Sequence, residues 1–148
     1  MDLLKMLTNE KNLLIEMLEK LKLEKQILIN DDINGLKEVT EKKGKLTSSI
    51  DNCEKARIAQ YGNATLKELT LKLDGKKSEE AEALGRDIKS AVYEIQQLND
   101  LNCQLMKQSL NYIRAVMNLV SPPKVSVYNS SGNVNNKPSA SGMLDRNI

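Results

Sequence analysis

The chain has 148 residues, enough for one ordinary domain, and it contains no His, Phe or Trp. Its 22 basic and 20 acidic residues are interleaved and leave a net charge of only +2, which excludes a polyanion-binding field and makes nucleic acid a poor partner. Without His, every His-based acid–base or metal scheme is gone, and an apolar content carried by Leu, Ile, Val and Met rather than by aromatic rings favours elongated helices over a sphere.

The spacing predicts a first helix from about Asp2 to Leu28. Its seam is Leu4, Leu7, Lys11, Leu14, Leu18, Leu21, Lys25 and Leu28, the alternation of threes and fours that packed helices show. Leu3, Met6, Leu13, Met17 and Ile27 widen this apolar face to one side. Asn30-Asp31-Asp32 supplies turn and N-cap chemistry, and a second helix follows from about Ile33 to Tyr61. Its seam of Leu36, Val39, Lys43, Leu46, Ile50, Cys53 and Arg57 is narrow, and Gly35 and Gly44 lower its intrinsic propensity, so packing must hold it. The short turn makes the first two helices antiparallel neighbours, with the third packed against them.

Residues 62 to 77 read as a connector with one or two weak helical turns around Leu66, Leu69, Leu71 and Leu73, broken by Asp74-Gly75. Ser78 with Glu79-Glu80 reads as the cap and acidic first turn of a third helix running from about Glu79 to Val120. Its seam is Ala81, Leu84, Ile88, Ala91, Ile95, Leu98, Asn102, Leu105, Ser109, Tyr112, Val116 and Leu119; forty residues make a rod of about 60 Å. The polar seam positions Asn102 and Ser109 read as a water-facing edge, with register setting as the alternative. Ser121-Pro122-Pro123 stops the helix. The fold class is therefore all-α: an antiparallel hairpin plus one long third helix in a coiled-coil-like bundle. Residues 1–120 form the helical part. Residues 121–148 form a Ser-, Asn-, Gly- and Pro-rich tail too polar to offset its ordering entropy, expected to be disordered.

No chemistry-bearing constellation emerges. Asp31-Asp32 and Glu79-Glu80 fall where helices start, and capping explains them. Cys53 and Cys103 lie far apart and outside any CxxC setting, as small buried hydrophobes do, and no cofactor is implied. No apolar run approaches the roughly 20 residues of a membrane span, and the start Met1-Asp2-Leu3 lacks a basic leader, so a cytoplasmic protein without membrane insertion is expected.

The informative stretch is the end of the third helix. From Leu101 to Val120 the only charges are Lys107 and Arg114. A second apolar seam starts there: Met106, Leu110, Ile113, Met117 and Val120, one residue behind the first and so rotated by about 100°. The two together are wider than one partner helix requires. Either the first helix covers both seams, or the chain dimerises there, or the face is a groove for a partner's amphipathic helix. On the last reading Leu105, Met106, Leu110, Ile113, Met117 and Val120 bind a client, and the flexible thioethers of Met17, Met106 and Met117 adapt to it. In the tail, Val125, Val127 and Tyr128, then Met143, Leu144 and Ile148, are apolar islands, either idle or docking elements.

Several stretches resemble the FlgN family of flagellar export chaperones over the whole chain. They are Asp32 through Leu36 followed by Lys42-Lys43, then Glu54-Lys55-Ala56-Arg57, then Leu98-Asn99-Asp100-Leu101-Asn102-Cys103-Gln104-Leu105. In the tail they are Tyr128-Asn129-Ser130-Ser131-Gly132 and Leu144-Asp145-Arg146. One departure is the turn Asn30-Asp31-Asp32, where a Gly-Asp is usual. The resemblance implies binding of the C-terminal helical segments of the hook-filament junction proteins FlgK and FlgL. It implies prevention of their premature association, and delivery to the type III export gate through contact of the tail, with Tyr128 at the matching place, with the cytoplasmic domain of FlhA. The rival readings are a structural coiled-coil adaptor without chaperone activity, and a nucleic-acid or membrane-surface protein using Lys72, Lys76 and Lys77.

Overall fold

In the computed structural model, which describes residues 2–120, the first apolar stripe becomes α1, Leu3–Ile29. Leu7, Leu14, Leu18, Leu21 and Leu28 of the predicted seam are buried, and so are Leu3, Met6 and Met17 from its flank. Each such side chain contributes on the order of 1.5–3 kcal/mol of burial. Asn30 N–H returns to Gln26 O at 3.0 Å, and Asp31 takes φ 52°, in the left-handed region where Gly, Asn and Asp are tolerated. That explains how Asn30-Asp31-Asp32 serves where Gly-Asp is usual. The Asp32 carboxylate then caps α2, Ile33–Tyr61, by accepting from Gly35 N–H at 3.0 Å. A Cβ on Gly35 would collide with Asp32 Oδ2, so the glycine that weakens the helix also makes room for its cap.

α2 runs antiparallel to α1, as its cross-contacts show. Cys53 lies against Met6 and Asn9 near the start of α1, and Lys43 meets Glu24 near its end. Its narrow seam is realised: Val39 and Leu46 are buried, and Leu36, Lys43, Ile50, Cys53 and Arg57 are half-buried. Gly62, at φ 67°, closes α2 with its N–H on Ile58 O.

The connector is better ordered than its sequence suggests. Thr65 and Glu68 form a reciprocal capping box that starts α3, Leu66–Thr70, and buries Leu69. α4, Gly75–Val120, begins four residues before the expected Glu79. Ser78 is not its cap; it sits inside the first turns and donates to Thr70 O at 3.1 Å, tying α4 to α3. Gly85 of α4 accommodates Leu66, whose Cδ2 occupies the place a Cβ would need.

Residues 1–106 form one compact unit, and a second begins at Lys107. The first unit has two apolar clusters. Leu14, Met17, Leu18 and Leu21 of α1, Leu46 of α2, and Ala91 and Ile95 of α4 form one. Leu3 and Leu7, Leu69 and Ala81 form the other. Met17, which the sequence suggested as part of an adaptable groove, is completely buried in the first cluster. Asn102 is also completely buried rather than at a water-facing edge; its Nδ2 donates to Leu21 O at 3.0 Å. Burial of its amide requires that bond, which fixes α4 against one particular turn of α1. Glu24, fully buried, lies one turn further along α1 with Lys43 Nζ 2.6 Å from its Oε2. Neither Glu24 oxygen makes a well-aligned hydrogen bond among the described residues, so the close approach of Lys43 is what compensates this buried side chain. Lys11 pairs with Asp87 at 2.6 Å, so this charged seam position also serves to join α1 and α4. The expected disorder of residues 121–148 lies outside the described residues.

Candidate functional site

Residues 107–120 of α4 carry four of the six predicted client-binding side chains. Leu110 is 37% exposed, Ile113 48%, Met117 63% and Val120 78%. Their three–four–three spacing aligns them on one stripe of the helix. Tyr112, Val116 and Leu119, also exposed, form a second stripe beside it. Together the stripes span about half of the helix circumference. The exposed apolar side chains are thus contiguous along the helix rather than scattered singly. From Leu110 onward the apolar side chains of both seams are exposed among the described residues.

The other two predicted residues, Leu105 and Met106, belong to the first unit and are half-buried. Met106 begins the second seam, whereas Leu105 continues the first, which is closed upstream: Ala81, Ala91, Ile95 and Asn102 are buried. A single heptad pattern thus changes role along one helix, from packing to exposure. The predicted docking residue Tyr128 lies outside the described residues.

Sequence reasoning missed one feature of the first unit. A cleft of about 450 Å³ opens among α1, α2, the connector and α4, lined by Leu7, Glu10, Glu54, Arg57, Ile58, Asn63, Ala64, Thr65, Leu66 and Ile88. Burial pushes the Glu10 carboxyl above its ordinary value, Arg57 opposes this, and Glu54 adds to it. No pattern in the sequence announces the cleft, because its lining comes from four separate segments. Cys53 and Cys103 are free, half-buried thiols. Among the described residues no helix is long and apolar enough to cross a membrane. No group of three or more His, Cys, Asp or Glu there stands ready to hold a metal.

No curated protein and no solved structure matches the chain. The family model described as FlgN protein does, over residues 1–136. The match spans the helices, the exposed end of α4 and the beginning of the tail sequence, and the chain therefore belongs to the FlgN family, a family of flagellar export chaperones.

Proposed function

We propose that this chain is a cytoplasmic chaperone for hook-filament junction proteins of the FlgK and FlgL type. It covers the apolar stripe of their C-terminal helical segments with the exposed face of α4. The observation that carries this reading is the row Leu110, Ile113, Met117 and Val120, apolar and exposed on a helix whose upstream seam is packed. A client segment destined for a helical coil bears an apolar stripe of its own, which left free would associate early. Laying it along a complementary helix face needs no nucleotide and no catalysis. The two methionines, Met106 and Met117, let one face adapt to more than one client. Delivery falls to the tail, with Tyr128 meeting the cytoplasmic domain of the export gate FlhA. A Tyr on short polar surroundings offers one large anchor with few rotors.

The test is Ile113→Ser with Met117→Ser. Loss of two anchors from an apolar groove weakens client binding by about 2–4 kcal/mol, while helicity and melting temperature hardly change because both side chains are exposed. A large loss of stability would mark the residues as core and defeat the proposal, and so would unchanged client affinity. A dimer held through this face, with no client bound, would instead make the chain a structural coiled-coil adaptor.

A further inference from the structure

Residues 107–120 contain two charged side chains, Lys107 and Arg114, and no carboxylate. Seven residues apart, the two fall within about 20° of each other around the helix. Leu110 and Met117 interleave with them in a three–four–three row. The cations therefore border one edge of the apolar face, the Leu110–Met117 edge. The opposite border, beyond Tyr112 and Leu119, carries Gln108 and Ala115 and is neutral.

Three exposed lysines of α2 are matched by acids on the same helix, while others, such as Lys5, Lys37 and Lys89, form no ion pair among the described residues. In α2, Glu38 pairs with Lys42, Glu41 with Lys45, and Asp51 with Lys55, each acid four residues before its cation. The residues four before Lys107 and Arg114 are Cys103 and Leu110. Both cations are exposed, and among the described residues neither forms an ion pair. A basic rim on one side only, beside an open apolar face, is complementary to a helix acidic along one edge.

We propose that this rim selects and orients the client: the segment that docks on α4 is an amphipathic helix with two carboxylates seven residues apart along one edge of its apolar stripe. The inference rests on the client-binding role of the Leu110–Val120 face. Salt bridges at an interface rim contribute little energy but reject wrong partners and fix direction. A second copy of this segment brings two further cations and no carboxylate, which disfavours self-pairing on the same face.

The test uses the full chain and three designed amphipathic helical peptides with one Leu stripe, whose edge carries two Glu, two Gln or two Lys seven residues apart. Binding is measured by fluorescence anisotropy at low and high salt. The Glu peptide binds about fivefold tighter than the Gln peptide at low salt and loses that advantage at high salt. Lys107→Gln with Arg114→Gln abolishes the difference, and Lys107→Glu with Arg114→Glu transfers the preference to the Lys peptide. Equal binding of all three peptides, still lost in Ile113→Ser/Met117→Ser, overturns the rim and leaves the docking face standing. No binding by any peptide, or binding untouched by that double variant, overturns both. Self-association through this face that excludes the peptides also overturns the proposal.

Discussion

Replacing Lys43 by Met probes how the first unit is held together. Glu24 is completely buried, and Lys43 Nζ, 2.6 Å away, is its charge partner. Met preserves most of the aliphatic stem but removes the ammonium, leaving a buried carboxylate uncompensated. Breaking a buried pair in this way costs about 3–5 kcal/mol. That is a large share of the roughly 5–15 kcal/mol that typically separates folded from unfolded domains. For a chain of this size it lowers the melting temperature by on the order of 10–20 °C. Removing Glu24 instead costs less, because the Lys43 side chain is 14% exposed and its flexible stem lets the ammonium turn to water. Replacing both by Leu is neutral or stabilising by about 1–4 kcal/mol, because two desolvated charges disappear together. Thermal and urea unfolding followed by circular dichroism measure all three variants. If Lys43→Met costs less than about 1 kcal/mol, Glu24 is reaching water and the argument from burial fails.

Two further outcomes follow from particular contacts and a third from the role proposed for the tail. Gly44→Ala, with open space around its Cβ, stabilises α2 by about 1 kcal/mol, whereas Gly35→Ala gains nothing because its Cβ displaces the Asp32 cap; equal gains in urea melts would contradict the cap geometry. Burial raises the Glu10 carboxyl, so the folded state holds that proton more firmly than the unfolded chain; its stability contribution is full below the ordinary carboxylate value and is lost as pH rises through the raised one. Glu10→Gln therefore raises the melting temperature more at neutral than at acid pH, and the reverse order would show that Arg57 outweighs burial. Tyr128→Ala leaves client affinity intact while weakening binding to the cytoplasmic domain of FlhA and lowering client secretion; lost client binding or normal secretion would dissolve the proposed division between face and tail.

The helices were legible because they repeat. A three–four rhythm records which side of a helix is covered, and Leu7, Leu14, Leu18 and Leu21 in α1, or Val39 and Leu46 in α2, follow it to burial. Chemistry that departs from the rhythm was harder to read. Asn102 looked like a wet edge because an amide at a seam position carries no mark of its partner; that partner, the Leu21 carbonyl, lies 81 residues away. A glutamate at position 24 carries no sign of burial in the sequence, since that burial depends on Lys43 arriving from α2. Ser78-Glu79-Glu80 imitates a helix start four residues inside α4, while Ser78 serves the fold by bonding Thr70 O. The wide seam at the end of α4 was visible as a pattern, but whether another element covers it depends on long-range packing. Among the described residues the apolar side chains from Leu110 to Val120 are exposed.

Hydrogen exchange of the full chain, with and without the C-terminal segment of a hook-filament junction protein, tests the account most directly. Residues 107–120 close a long helix with exposed apolar side chains, so their amides open locally and exchange readily in the free protein. The account predicts that saturating client slows exchange across Lys107–Val120 and leaves α1 and α2 unchanged. Protection confined to residues 1–106, for example around the Glu10–Arg57 cleft, would contradict it and move the client site off the end of α4.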